Sequence, residues 1–514
     1  MTARIGSQVS SDLQLQDLCQ HLPIQTKWGR ERFISGLSEC STKPSQIRQK
    51  QLPLLIFAKH SAIRTRVQES LRGVEPHIEK IDECFQAYDA RIQEWITQIL
   101  WKRDSMGAFL NTSPLVLNTA ITWKTLVLPG FAIFMPLLLM VLPFFVQRLE
   151  NPALGVPEYL EHFKEVLLRQ ITVPTFLQPR SETDRVGFFL RSLFIGLTLV
   201  MCVSSLWNQI TQSLHLRSIW FDLEARGLSI QTLRSAVASI VKDLKDLPLE
   251  EQRGLHGLFE KAEKALDTTK YLVNLDNVAT FGKIWNNPDD LAELKDCIGF
   301  IDVYVSISSL RNICYPSIGE WNLVNAYHPA LDTCVANSLS RQHTILTGPN
   351  RGGKSTFCRT IGLAVILAQS WGFAYAEKMR FQPFHSIYTV LEPCGKLGVL
   401  STFEAEIEFA KQVLSTEERP MFVMMDEIFH STNALDGVAA SRVFLQKLYS
   451  LSGVQSIIST HYTQLATEFA KKVQPLQLVT EDKENGDLKY TYKVAPGVSN
   501  KSSVMEILRE RGLA

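Results

Sequence analysis

Eight residues constrain this chain more than any other stretch: Gly348-Pro349-Asn350-Arg351-Gly352-Gly353-Lys354-Ser355. They read G-x-x-x-x-G-K-S, the spacing of a phosphate-binding P-loop. Thr344-Ile345-Leu346-Thr347 comes before them, a β-branched run suited to a buried strand. Residues 356–371, starting at Thr356, follow them and are apolar at helical spacing, with Gly362 as the one glycine. The motif requires this order of strand, glycine loop and helix. The glycines let backbone N–H groups curl around a polyphosphate, and the helix N-terminus adds positive potential. Lys354 is expected to reach the β- and γ-phosphates and Ser355 to hold Mg²⁺, so ATP and Mg²⁺ are the expected cofactors.

A second pattern fits the first. Met421-Phe422-Val423-Met424-Met425 is wholly apolar and ends in Asp426-Glu427. A buried parallel strand carries its acids at its C-terminal edge in this way. Asp426 is expected to bind Mg²⁺, directly or through water, and Glu427 to orient and polarise the water that attacks the γ-phosphate. Phosphoryl transfer depends mainly on such positioning and on charge neutralisation, so few residues suffice. Ile457-Ile458-Ser459-Thr460-His461 reads as another strand with a polar tip, with His461 placed to hydrogen-bond near the γ-phosphate.

The chain has 514 residues, enough for about three domains. Its 53 Lys and Arg balance 52 Asp and Glu, which argues against a strongly basic, non-specific nucleic-acid binder. Nine scattered cysteines without a C-x-x-C pair read as reduced thiols rather than a metal site. The first residues carry no apolar run of the kind a secretory signal needs.

Residues 11–105 read as amphipathic helix, with Leu13, Leu15, Leu18, Cys19 and Leu22 on one stripe and a break around Pro44. Composition then changes. Residues 125–147 are 23 in number and contain no charged side chain, and about 20 residues span a bilayer. Residues 192–214 are likewise free of Asp, Glu, Lys and Arg. The pair reads as a membrane hairpin, with segments at about 125–147 and 188–210. Two buried core helices, or an interfacial wedge, would give the same composition. Pro129, Pro136 and Pro143 recur every seven residues in the first segment; each costs about 3 kcal/mol in a soluble helix but is better tolerated in a bilayer. Charges in the loop of about residues 147–191 are mixed, so the positive-inside rule does not orient the hairpin. The abundance of ATP inside the cell does, by placing the nucleotide half on the ATP-containing side. Amphipathic helix resumes from 215, with Leu223, Leu228, Ile230, Leu233, Val237 and Ile240 among charges.

Several motifs together resemble the MutS family of DNA mismatch-repair ATPases. Thr347-Gly348-Pro349-Asn350-Arg351-Gly352-Gly353-Lys354-Ser355-Thr356 is similar to that family's narrow GPN-x-GGKST loop. Asp426-Glu427-Ile428 with Thr432, Asn433, Asp436 and Gly437 resembles its acidic motif and the dimer loop that follows. Ser401-Thr402-Phe403 with Glu404 and Glu406 resembles the segment that reaches across to the partner's nucleotide. Thr460-His461-Tyr462 resembles its switch histidine, and His328-Pro329 with Asn337 the start of its ATPase domain near the base of the nucleotide. Residues 490–503 resemble its C-terminal segment. The resemblance implies a homodimer sandwiching two nucleotides, each chain giving Lys354, Ser355, Asp426 and Glu427 to one site and Ser401 to the other. There are departures. Where the family continues with Gly-Arg-Gly, this chain has Phe429-His430-Ser431, and the stretch upstream of 320 is too short for the family's mismatch-reading and connector domains. No nuclease tail is expected after the ATPase domain.

The expected architecture is α plus α/β. A helical core-like region (1–110) leads to the membrane hairpin (111–215), a returning helical lever (216–319) and a P-loop ATPase domain (320–514). The expected function is a membrane-anchored ATPase that couples ATP binding and hydrolysis in a dimer to movement of its helices, with an unidentified protein as a further partner. The alternative is a DNA-binding repair or recombination ATPase; no Phe-x-Glu wedge is placed for mismatch-specific contact.

Overall fold

The computed structural model describes residues 2–85, 90–101, 104–132, 134, 145, 148–149, 155–161, 185–391, 402–483 and 487–513. The chain divides into two compact units. One comprises 1–75, 236–266 and 293–514, the other 76–235 and 267–292.

The first unit is built on a mixed sheet. Its strands are β1 (Arg4–Ile5), β5 (His343–Thr347), β7 (Ser386–Val390), β8 (Met421–Met425), β9 (Val454–Ser459), β10 (Gln474–Asp482) and β11 (Leu488–Pro496). Their order is β1-β7-β8-β9-β5-β10-β11; every neighbouring pair is parallel except β10 and β11. Every residue of β7, β8 and β9 is buried, as in strands covered on both faces, and β8 is wholly apolar. A second sheet, in the order β2-β6-β3-β4, consists of β2 (Ser317–Ile318), β3 (Asn322–Ala326), β4 (Asn337–Leu339) and β6 (Lys378–Phe381).

The leucines near the N-terminus are buried, but not along one helix. They sit on or directly after short helical segments, Val9–Asp12, Leu15–Leu18 and Cys19–His21, the first two separated where Gln14 takes a left-handed φ of 51°. The segment belongs to the seven-stranded sheet. Arg4 and Ile5 pair with Ser386 and Ile387, Asp12 accepts from Thr389 Oγ1 at 2.6 Å, and Leu13 fills the space left by Gly362. Helix Lys27–Gly36 starts where Thr26 Oγ1 accepts from Gly29 N–H at 2.9 Å. The buried Asp302 fixes that cap by accepting from both the backbone N–H and the hydroxyl of Thr26.

The second unit is helical. Asp104 caps Ser105–Asn111, and Asp276 caps Asn277–Asn286 by accepting from Ala279 N–H at 2.7 Å. The helix Arg185–Lys245 has 61 residues, of which those up to Ser235 belong to this unit and the rest to the first. Its stripe at Leu223, Ile230, Leu233, Val237 and Ile240 is buried, whereas Leu228 is half exposed. Earlier on the same helix, Leu193, Leu197, Val200, Met201, Val203 and Trp207 are all exposed.

Of the two charge-free stretches, the first overlaps a helical run long and apolar enough to cross a membrane, Pro114–Ala132. It is the one such run among the described residues, and almost none of it is buried. A π-turn at Trp123–Val127 interrupts it. Pro129 has no N–H to give the carbonyl of Thr125, and Ser213 Oγ of the long helix donates to that oxygen at 2.7 Å. Pro136, Pro143 and most of residues 133–184 lie outside the described residues.

Candidate functional site

Three parallel strands, β5, β8 and β9, end side by side and deliver the chemistry. After β5 the chain turns through the glycine loop into helix Lys354–Ser370. Gly353 makes that turn with φ +98°, a left-handed conformation open to glycine, and Arg351 is also left-handed at +66°. The register places Met425 opposite Ile458, and Leu346 opposite Ser459. The residues just past these positions therefore meet.

Lys354 is buried. Its Nζ donates to Gly348 O at 3.1 Å and to Asn350 Oδ1 at 3.4 Å, and lies 3.7 Å from Glu427 Oε1. Burial pulls its pKa below the ordinary lysine value, while Glu427 and Asp426 oppose the shift. Ser355 Oγ and Ser459 Oγ both donate to the Asp426 carboxylate. Ser459 Oγ also accepts from Glu427 N–H at 3.0 Å. His461 Nε2 is 2.7 Å from Glu427 Oε1. The carboxylate can only accept, so Nε2 carries the proton. That bond is the chief reason the Glu427 pKa falls from 4.5 to about 2; burial opposes it, and the charges of His461, Lys354 and His430 add to it. Glu427 is thus held ionised.

A cavity of about 680 Å³ adjoins the loop, lined among others by Cys334, Asn337, Arg351, Thr356, Glu427 and Tyr492. Its size suits a small ligand. Asn337 ties β4 to β11: its Nδ2 donates to Tyr492 O at 3.0 Å and its Oδ1 accepts from Val494 N–H at 2.8 Å. Gly352 N–H bonds Pro349 O at 3.2 Å, closing the loop on itself. Arg351 points to the C-terminal helix, where it pairs with Glu510. An oxygen-only donor pair, the Ser355 hydroxyl and the Asp426 carboxylate, fits Mg²⁺, which takes few protein ligands and fills its shell with phosphate oxygens and water.

Gly348, Pro349, Asn350, Arg351, Gly352, Gly353, Lys354, Ser355, Thr356, Asn337, Asp426, Glu427 and His461 thus surround one region. Ser401 lies outside the described residues, just before helix Thr402–Ser415. Two contributors are not singled out by the sequence reading. Ser459 bridges Asp426 and the Glu427 backbone; a hydroxyl directly after Ile457-Ile458 was its signal. Tyr492 is half exposed, with φ +55°, and faces the cavity beside Gly353. Its place on a hairpin of polar alternation carried no signal.

Residues 344–513 match the family model described as MutS domain V. The DNA mismatch repair protein MutS of Thermus thermophilus is 30% identical over 233 residues, 43% of this chain and 28% of that protein. That of Fervidobacterium nodosum is 29% identical over 300 residues, 55% of this chain and 35% of that protein. That of Zymomonas mobilis is 26% identical over 303 residues, again 55% of this chain, and 34% of that protein. The chain spans about a third of the length of the curated relatives it matches. The stretch that holds the glycine loop, the acidic pair and His461 is therefore similar to domain V of the MutS proteins.

Proposed function

We propose that this chain is a Mg²⁺-dependent ATPase of MutS type, anchored in a membrane, that couples ATP binding and hydrolysis to movement of its helical region. The observation that carries the enzymatic reading is the convergence of Lys354, Ser355, Asp426, Glu427 and His461 at the ends of three parallel strands. Lys354 Nζ neutralises the β- and γ-phosphate oxygens. Ser355 and Asp426 would provide the oxygen ligands for Mg²⁺, whose charge would offset that on the phosphates. The ionised Glu427 accepts a hydrogen bond from the attacking water and aims its oxygen at the γ-phosphorus. The new P–O bond forms as the bond to the bridging oxygen breaks, and ADP departs with that electron pair. His461 holds the Glu427 carboxylate in place.

In this reading two chains face each other through their ATPase domains, and Ser401 of one reaches the nucleotide of the other. The membrane part of the reading rests on the two charge-free stretches and on the exposed apolar side chains they present. They form a two-segment anchor, with the ATPase domain on the ATP-containing side. A protein partner at the membrane would receive the motion.

The names of the relatives, DNA mismatch repair proteins, favour a second reading, a DNA-binding repair or recombination ATPase of the MutS family. One purified preparation separates the two. Lys354→Ala and Glu427→Ala are each expected to lower kcat at least ~100-fold. Unchanged turnover in both variants would overturn the enzymatic reading. ATP-modulated DNA binding that weakens steeply with salt, through release of counterions from phosphates, would favour the DNA reading; absence of such binding removes it.

A further inference from the structure

We propose that His430 is a positioning residue of this hydrolytic site, placing the Glu427 carboxylate by holding its main chain; the inference rests on the ATPase reading above. The backbone of Glu427 is pinned at both ends. Its N–H donates to Ser459 Oγ at 3.0 Å, and its carbonyl oxygen lies 2.8 Å from His430 Nδ1. A carbonyl oxygen can only accept, so Nδ1 is the protonated ring nitrogen.

The loop needs such a tether. Glu427 and Phe429 are both left-handed, with φ of 52° and 48°, and neither is glycine. A side chain rarely stays in that region unless its surroundings hold it there. Phe429 is buried edge-on to Phe403 and Phe444, and Tyr462 Oη donates to its carbonyl at 3.2 Å. Ser431 Oγ donates to Glu406 Oε2 at 2.8 Å, and His430 Nδ1 lies 3.5 Å from Glu406 Oε1. Glu406 is buried on helix Thr402–Ser415. The loop after the acidic pair is therefore anchored to that helix through one buried carboxyl. The peptide between Glu427 and Ile428 is held at its N–H by Ser459 O at 3.3 Å and at its oxygen by His430, the one side chain found on that oxygen among the described residues. Without that bond the strained peptide is held only at its N–H end, and it can tilt so that the carboxylate moves off the line of attack while the phosphate-binding loop is untouched.

The nitrogen involved makes the test selective. An Asn amide nitrogen can stand where Nδ1 stands, whereas a Gln amide nitrogen reaches the position of Nε2. Steady-state ATP turnover of the full chain would be measured for His430→Ala, His430→Gln and His430→Asn, with Glu427→Gln as control. His430→Ala and His430→Gln are expected to lower kcat by roughly 10- to 100-fold with KM for ATP within about twofold, and His430→Asn to recover most of the loss. A kcat for His430→Ala within about twofold of the parent, in a protein that Glu427→Gln inactivates, overturns the inference and leaves the ATPase reading standing. Equal rates for the Asn and Gln variants, or a change confined to KM, also overturn it. Turnover that survives Glu427→Gln overturns both readings together.

Discussion

Glu427 must stay charged, beside a buried lysine, on a strained stretch of main chain. His461 solves the first demand by donating to the carboxylate, which brings its pKa down to about 2. The left-handed backbone at Glu427 costs about 1–2 kcal/mol, set against its hydrogen bonds to Ser459 and His430. A carboxyl with a depressed folded pKa stabilises the fold above its unfolded value and loses that contribution as pH falls through the folded value. Here the window runs from about 4.5 down to about 2. The urea midpoint of the parent protein is therefore expected to exceed that of Glu427→Gln by more at about pH 6 than at about pH 3. A gap that does not change between those pH values would show that the carboxylate has no net stabilising partners. The acids and the histidine were legible from sequence, because an apolar strand ending in polar residues has few other uses. Their mutual contacts were not, because they depend on β9 lying between β8 and β5, which no local pattern encodes.

The helices of the second unit approach one another through glycine. A Cβ on Gly227 of the long helix would stand 1.7 Å from Asn277 O, and one on Gly282 would stand 2.4 Å from Asn111 O. Neither obstacle is a flexible side-chain end; both are carbonyls at element ends, so the backbone itself must shift. Gly227→Ala is expected to destabilise the protein by about 1–3 kcal/mol, despite the better helix propensity of alanine. Gly73, inside helix Ser61–Phe85, has nothing within 4 Å of the same position. There the propensity term stands alone, and Gly73→Ala is expected to stabilise by about 0.5–1 kcal/mol. Urea unfolding followed by helical circular dichroism reads both signs, and two shifts of the same sign would refute the packing argument. Periodicity revealed the buried stripe of the long helix but also nominated Leu228, which is half exposed, since hydropathy does not say how wide the covering surface is. It also missed β1: two residues, Arg4 and Ile5, are too few to show alternation, and their partner strand lies about 380 residues away.

Across the whole chain, near-zero net charge hides an uneven distribution. The 105 Lys, Arg, Asp and Glu avoid two 23-residue stretches entirely. In the described parts of those stretches large side chains face outward, Met201 at 72% and Trp207 at 66% exposure. Isolated exposed apolar residues are ordinary, but a contiguous apolar face on a long helix is not left to water. The Pro114–Ala132 run is 19 residues, about 28 Å of helix, close to the hydrocarbon thickness of a bilayer. Lipid would cover both stretches at once, and the bond from Ser213 to the Thr125 carbonyl already joins them. Membrane partition tests this directly. The full chain and a variant lacking residues 112–214 would be expressed, fractionated, and washed with high salt and then carbonate before detergent extraction. The full chain is expected to stay with the membrane through both washes and to leave only with detergent, and the shortened chain to stay in the supernatant. A full chain released by salt or carbonate would mean that lipid does not enclose these faces. The outward apolar surface would then have to be covered by protein, and a DNA-directed role would become the leading explanation of the ATPase site.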